Sequence, residues 1–395
     1  MPPHDGMARA TCLQHEVLCG EQPSMWNELD AFIEQSRQRW HVPGVAVAVV
    51  KDDAVLLAKG YGTRDVGTQA PVTADTIFAI GSCTKAFTTT ALALLVEQGH
   101  LHWNDLVTKY LPNFRLHDPY ATREVTVLDL LTHRTGAPVA DDIWYGTSRT
   151  PEQILAEIGS RPGVSLRAQF DYNNIMYLAA GQLIPAITGI SYDQFVRAHI
   201  FEPLGMDRSS LSTTTLNDTA NVASPHVRAD DSTTVVPWRN IDNVAPAGAI
   251  NSSVTDMIPW ITMHLRRGQH AGVQVVGEDL LQMVHTPQTL VQPRGVWNVF
   301  FPDTAFLTYG LGWFVSSYGH HHVVSHGGII DGMHATVALV VETGLGIVVL
   351  TNLDWNGTKD SNMLPHVLVN TILDQEVELH GRDWNDLFEK GIRLD

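Results

Sequence analysis

One stretch of the chain joins a strand-like run to a helix-forming run: Ile77-Phe78-Ala79-Ile80-Gly81-Ser82-Cys83-Thr84-Lys85-Ala86-Phe87. A serine at such a junction lies at a helix N-terminus, where free backbone N–H groups favour developing negative charge. Lys85 follows Ser82 by three positions, and residues i and i+3 share one face of a helix. The spacing predicts a serine hydroxyl beside an amine that can accept its proton. The alternative is a capping serine followed by a solvated lysine.

Length and composition describe a globular chain that can bury a large core. The 395 residues are 44% hydrophobic and 17% charged, and the formal net charge is −17. This acidic balance argues against a nucleic-acid partner and against an anionic membrane surface. The three cysteines do not make a disulfide framework. Neither a transmembrane run nor a signal-like N-terminal pattern is visible, so we predict a cytoplasmic protein.

Strand-like segments occur near both ends of the chain, with helical segments between them. A hairpin is predicted over residues 45–58, and a two-stranded hairpin is marginal by itself. Pairing with later strands would stabilise it, and these are predicted at 309–316, 321–325, 335–341 and 346–351. The predicted fold class is α+β: an antiparallel sheet built from N- and C-terminal strands, flanked by helices, with an inserted mainly helical domain.

The same pattern predicts how the chain is divided. Residues 1–22 form an N-terminal arm, residues 23–380 a single catalytic domain, and residues 381–395 a C-terminal tail. Within the domain, the α/β part takes about 23–85 and 300–380, and the helical insertion takes about 86–299.

Two further patterns carry chemistry. Of the nine tyrosines, only Tyr172 is followed two positions later by an asparagine, Asn174. A loop with a packed tyrosine and a capping asparagine is the structural alternative. His326 ends a strand-like run and precedes two glycines, which let a ligand approach the backbone closely. A lone histidine is otherwise more often structural.

The three patterns, in this order and on these elements, resemble the serine β-lactamase and penicillin-binding-protein superfamily. The resemblance is closest to its class C-like branch, which includes class C β-lactamases, family VIII carboxylesterases and D-specific aminopeptidases and amidases. That branch has Ser-x-x-Lys, then Tyr-x-Asn, then Lys-Thr-Gly or a His/Trp-x-Gly replacement. Similar landmarks over about residues 25–375 are Leu130-Leu131-Thr132-His133-Arg134-Thr135-Gly136, Pro203-Leu204-Gly205-Met206, Pro246-Ala247-Gly248 and Thr308-Tyr309-Gly310-Leu311-Gly312-Trp313.

The resemblance implies a role for each matched residue. Ser82 would attack an acyl carbonyl, Lys85 and Tyr172 would share the proton transfer, and Asn174 would hold Lys85 and a substrate carbonyl. The backbone N–H groups of Ser82 and Ile329 would form the oxyanion hole, and His326 and Gly328 would help to bind and orient the substrate. No cofactor or metal is implied. Which of Lys85 and Tyr172 takes the serine proton stays open.

The chain departs from the lactamase pattern at His326, where penicillin-recognising members have a lysine. Histidine is mostly neutral at pH 7 and is a weaker site for a substrate carboxylate. We therefore predict a serine hydrolase of small esters or amides, with a carboxylesterase ahead of an amidase. The alternatives are a D-amino-acid peptidase or amidase, an acyltransferase, a β-lactamase, and a penicillin-binding sensor that is acylated without turnover. The expected partner is a small acyl substrate, and the oligomeric state stays open.

Overall fold

The computed structural model describes residues 25–216, 220–292, 295–301, 304–355, 361–379 and 381–392. The predicted arm 1–22, with Cys12 and Cys19, lies outside these ranges. The strands are β1 Gly44–Lys51, β2 Ala54–Gly62, β3 Phe78–Ala79, β4 His226–Ala229, β5 Ser232–Val235, β6 Asn251–Ser252, β7 Gln269–His270, β8 Val273–Gln274, β9 Thr289–Leu290, β10 Leu307–Tyr309, β11 Phe314–Tyr318, β12 His321–Ile330, β13 Met333–Val340 and β14 Leu345–Thr351.

Helices connect the strands and cover the sheet. They are α1 Met25–Arg39, α2 Thr84–Glu97, α3 Val107–Tyr110, α4 Pro119–Glu124, α5 Val127–Leu131, α6 Pro151–Ile158, α7 Asn174–Thr188, α8 Tyr192–Val196, α9 Glu202–Leu204, α10 Ala245–Gly248, α11 Val254–Leu265, α12 Glu278–His285, α13 Val296–Phe300, α14 Leu364–Glu376 and α15 Trp384–Ile392. A π-helical turn, Arg197–Phe201, joins α8 to α9.

Strands from both ends of the chain share one antiparallel sheet, in the order β2-β1-β14-β13-β12-β11-β10-β9. The N-terminal hairpin joins the sheet through β1, where Val45 pairs with Thr351 and Lys51 with Leu345 of β14. The fold is therefore the predicted α+β arrangement. The part of the described chain between α2 and β9 is mainly helical. The exact domain boundaries stay a prediction.

Alternation along β1 gives the sheet two buried faces. Successive side chains of a strand point to opposite faces. Ala46, Ala48 and Val50 belong to the core beneath α2 and α11, whereas Val45, Val47 and Val49 belong to the core beneath α1 and α14. Covering both faces explains why this strand reads as a continuous apolar run.

Two predicted segments differ from the structure. The strand predicted over 309–316 is divided into β10 and β11 by a turn, in which Gly312 has a φ of 81°. The tail predicted from residue 381 contains α15, whose Trp384 is 2% exposed and donates a hydrogen bond from Nε1 to Asp374 at 2.6 Å. Its acidic residues also pair with Arg39 of α1.

Among the described residues, no single helix is long and apolar enough to cross a membrane. Within that part of the chain, the bent pair formed by Asn174–Thr188 and Tyr192–Leu204 reaches the required length and hydropathy when its two helices are taken together.

Candidate active site

Ser82 lies where the chain passes from β3 into α2. A single 3₁₀ turn, Gly81–Cys83, joins the two elements, and Gly81 has a φ of 50° in the region that favours glycine. Ser82 is partly exposed, while Lys85, one turn further on, is 0% exposed. Nearly all of α2 is buried, so packing on all sides fixes the position of this pair.

Lys85 makes three polar contacts. Its Nζ lies 2.9 Å from Ser82 Oγ, 2.8 Å from Asn174 Oδ1 and 2.8 Å from the carbonyl oxygen of Ala247. Burial lowers the pKa of Lys85 to about 7, although the charge of Asp141 acts in the opposite direction. The predicted neighbours Ser82, Lys85 and Asn174 are therefore brought together, and the solvated-lysine alternative does not fit this buried amine.

Tyr172 lies on the loop that leads into α7, over the same amine. Lys85 Nζ is 4.7 Å from the centroid of its ring. Burial raises the pKa of Tyr172 well above its usual range, and a hydrogen bond with Ser82 only partly offsets this effect. The next residue, Asn173, caps α7 by accepting the N–H groups of Ile175 and Met176. Capping thus fixes the helix start that carries Asn174.

The end of β12 lies in close contact with the Gly81–Cys83 turn, called here the serine turn. A Cβ added to Gly328 would lie 1.8 Å from the carbonyl oxygen of Ile80 and 2.9 Å from the backbone nitrogen of Ser82. A Cβ added to Gly81 would lie 2.8 Å from the backbone nitrogen of Ile329. The backbones that carry the two predicted oxyanion-hole donors are therefore adjacent.

A family model described as Beta-lactamase matches residues 29–368. The chain belongs to the beta-lactamase family. This confirms the resemblance predicted from the motifs, and members of the family are serine hydrolases.

Relatives and solved structures support this assignment. The chain is 29% identical over 396 residues to an unguisins hydrolase of Aspergillus violaceofuscus, covering 92% of this chain and 67% of that protein. An octameric penicillin-binding protein homologue from Pyrococcus abyssi aligns with a TM-score of 0.77 and 26% identity, over 90% of this chain and 78% of that one. A D-amino acid amidase from Ochrobactrum anthropi aligns with a TM-score of 0.72 and 22% identity, over 90% and 98%. The last likeness concerns the fold alone.

In this family member, both ring nitrogens of His326 bind within the protein. Nδ1 lies 2.6 Å from the carbonyl oxygen of Gly327, and Nε2 lies 3.0 Å from the hydroxyl of Tyr309. Burial lowers the pKa of His326 to about 3, and the nearby Lys85 acts in the same direction. The imidazole is therefore neutral. A substrate could contact Nε2 only by displacing Tyr309, so the orienting role of His326 stays a prediction.

A cleft of about 640 Å³ opens beside the serine turn. Asn174 and Ile329 line it together with Asp141, Asp331, Asp354 and Arg239 and the aromatic residues Trp144, Tyr145 and Trp238. Arg239 donates two hydrogen bonds to Asp331, at 2.9 and 2.8 Å, so this pair is neutralised. The other two carboxylates in the lining, Asp141 and Asp354, have no matching cation among the described lining residues, so the net charge of the cleft is negative.

Asp141 is the site residue that sequence reasoning missed. Its Oδ1 accepts hydrogen bonds from Asn174 Nδ2 at 3.1 Å and from Trp144 Nε1 at 2.7 Å. It thereby orients the amide that contacts Lys85. No sequence pattern marks Asp141, since it lies 33 positions before Asn174 on a different loop. The sequence did draw attention to Ala247, whose carbonyl oxygen contacts Lys85, because Pro246-Ala247-Gly248 resembles a later marker of the family.

We expect Gly328→Ala to lower kcat/KM by about 10²-fold or more, because its methyl group would push the Ile80 carbonyl and Ser82 apart from β12. The neighbouring Gly327→Ala is the matched control. Its added Cβ would come no closer than 3.8 Å to another atom, the carbonyl oxygen of Ala335, which is an ordinary contact distance. Steady-state kinetics and thermal unfolding of both variants test this expectation. Equal activity in the two variants would contradict the close approach.

Proposed function

We propose that the chain is a serine hydrolase that cleaves small esters or amides through a covalent acyl-enzyme on Ser82. The observation that carries the proposal is the surroundings of the Lys85 amine, which is 0% exposed and lies 2.9 Å from Ser82 Oγ. A buried amine beside a partly exposed hydroxyl is the arrangement that activates a serine without a histidine.

The hydrogen-bond geometry is compatible with a neutral Lys85 as the base, and the lowered pKa of this amine favours that form. Asn174 Oδ1 and the Ala247 carbonyl oxygen only accept hydrogen bonds, so they use the two N–H groups of a neutral amine. The amine lone pair is then left for the hydroxyl proton of Ser82. A pKa of about 7 makes this form abundant at neutral pH. Tyr172, whose pKa is raised, would carry its proton and act as a donor.

The proposed reaction has two halves, acylation of Ser82 and hydrolysis of the acyl-enzyme. The Ser82 oxygen bonds to the substrate carbonyl carbon while its proton passes to Lys85, and the N–H groups of Ser82 and Ile329 bind the resulting oxyanion. The bond to the leaving group then breaks, and that group receives a proton from Lys85 through Tyr172. In the second half, water bonds to the acyl carbon and loses a proton to Lys85. The bond between that carbon and Ser82 Oγ then breaks, Oγ takes the proton from Lys85, and the acid product leaves.

The charge of the cleft favours substrates that carry an amine. Asp141 is exposed, lines the cleft and holds only its Oδ1 in the two hydrogen bonds given above. A carboxylate at this position would attract an ammonium group and repel an acid. The second candidate function is therefore an amidase or peptidase acting on amino-acid derivatives, and the D-amino acid amidase of the same fold is a precedent.

The same features rank β-lactam hydrolysis lower. A β-lactam carries a carboxylate, whereas the neutral His326 offers no permanent charge to bind it. Acyl transfer to an alcohol or amine uses the same acyl-enzyme and is the remaining enzymatic alternative. A sensor that is acylated once without turnover is the alternative from a different class.

A panel of substrates tests the proposal. It contains p-nitrophenyl acetate and butyrate, D- and L-alanine p-nitroanilide, an acidic succinyl-alanine p-nitroanilide and a chromogenic cephalosporin. We expect the esters to be cleaved fastest, the amine-bearing anilides at least tenfold faster than the acidic one, and the cephalosporin slowest. Release of one equivalent of product without further turnover would favour the sensor. Preferred cleavage of the cephalosporin would overturn the proposed substrate class.

A further inference from the structure

His133 binds the backbone on both sides of Tyr172. Its carbonyl oxygen accepts the N–H of Asp171 at 2.8 Å, and its side-chain Nδ1 accepts the N–H of Asn173 at 3.0 Å. The two bonds enclose the tyrosine that covers the Lys85 amine. His133 is 1% exposed, so water does not compete for either contact.

The conformation of His133 is unusual and is set by these contacts. The run from Leu128 to Gly136 is typical of a helix that ends at a glycine C-cap, but α5 ends at Leu131 and His133 has a φ of 55°. A non-glycine residue in the left-handed region costs free energy unless its surroundings impose it. Here the turn aims both the carbonyl and the ring at the Tyr172 loop.

Ring contacts complete the arrangement. The imidazole centroid lies 4.4 Å from the ring of Tyr172, 4.7 Å from Tyr309 and 5.1 Å from Tyr177. Since Nδ1 accepts a backbone N–H, the single proton of the neutral ring is on Nε2. Burial and the nearby Lys85 keep the pKa of His133 well below its usual value, so the acceptor stays available across the working pH range.

We propose that His133 is a positioning residue for the acyl-transfer site: its two hydrogen bonds hold Tyr172 over Lys85 and so keep the amine desolvated. This inference rests on the proposed function, because it assigns His133 a role in activating Ser82. Loss of the Nδ1 acceptor would free the Tyr172 loop, admit water to the amine and raise the pKa of Lys85 toward its ordinary value.

Two substitutions separate the acceptor from the ring. His133→Phe keeps an aromatic ring but removes the acceptor. His133→Asn keeps an acceptor near the position of Nδ1 and tolerates a positive φ. The readout is the rate at which a fluorophosphonate probe labels Ser82, measured by intact mass from pH 5 to 10. We expect the probe to label Ser82 of His133→Phe about 10²-fold more slowly than wild type at pH 7. The acid limb of the profile, where the labelling rate falls as the pH decreases, should move to higher pH. The rate should therefore partly recover at pH 9.

His133→Asn is expected to stay within about tenfold of wild type, with the acid limb unmoved. If His133→Phe does not fold, this second variant decides, since a displaced limb in a folded His133→Asn would overturn the proposal. A His133→Phe protein with the wild-type limb would also overturn it, because a purely structural role changes stability without moving that pKa. Failure of the wild-type protein to label at Ser82 would instead refute the proposed function.

Discussion

Replacing Ser82 with alanine is expected to lower kcat for any substrate of this chain by about 10⁴-fold or more, since no acyl-enzyme can form. Alanine fits the 3₁₀ turn that holds Ser82, so the fold and the Lys85 pocket should be retained. Binding and the oxyanion donors would leave a small residual rate. The measurement is steady-state turnover of the best ester of the panel, together with intact-mass detection of the acyl adduct.

A second serine supplies the matched control. Ser160 is exposed in the turn just after α6, where its hydroxyl donates to the Glu157 carbonyl oxygen. Ser160→Ala should retain the wild-type rate and the wild-type adduct. Full activity in Ser82→Ala, or an adduct that persists in it, would show that the nucleophile is a different residue.

Local patterns were sufficient to predict which side chains lie together at the centre of the candidate site. The three-residue spacing of Ser82 and Lys85 is a property of one helix, and the structure places Nζ 2.9 Å from Oγ. Helix α7 begins at Asn174 because the preceding residue, Asn173, caps it. These features depend on neighbours a few positions away, which sequence periodicity records directly.

Long-range contacts could not be predicted in the same way. The carbonyl of Ala247 reaches Lys85 across 162 positions, and Asp141 orients Asn174 from a loop without a pattern. His133 was recognised only as part of a landmark, and its role depends on a backbone turn that overrides the helical expectation. Such contacts arise from packing, which composition and spacing do not encode.

A stretch of aromatic residues, Trp297, Phe300, Phe301 and Phe306, illustrates the same limit. The sequence does not separate a pocket wall from ordinary core packing. In the structure its residues diverge: Trp297 lies 4.9 Å from Phe314 and 6.2 Å from Tyr172, ring to ring, whereas Phe300 stacks on His366 at 4.5 Å. One tryptophan thus borders the tyrosine of the site, and its neighbour three positions later packs on α14.

The second large effect is expected at Lys85, which determines how activity depends on pH. A base with a pKa of about 7 predicts that kcat/KM rises as the pH increases through about 7, where the amine loses its proton. Lys85→Met, which keeps the length of the side chain without a base, should lower kcat/KM by about 10³-fold and remove this limb. If kcat/KM of Lys85→Met still rises through about pH 7, the group that loses its proton there is not Lys85.

The same pKa makes a prediction for stability. The folded-state pKa of Lys85, about 7, lies below the unfolded value of about 10.4, so between these values the unfolded chain binds a proton that the folded chain does not. The free energy of unfolding should therefore rise with pH from about 7 to 10, by on the order of a few kcal/mol from this group. Below pH 7 its contribution becomes constant.

Lys85→Met should remove that slope. It also leaves Asn174 Oδ1 and the Ala247 carbonyl oxygen without their donor, so the slope between pH 7 and 10 is more informative than stability at one pH. Urea unfolding of wild type, Lys85→Met and the surface variant Lys59→Met measures it. The surface variant should keep the wild-type slope, because Lys59 is half exposed and pairs with Asp30 on the surface. If Lys85→Met keeps it as well, Lys85 is protonated in the folded protein and cannot be the base that activates Ser82.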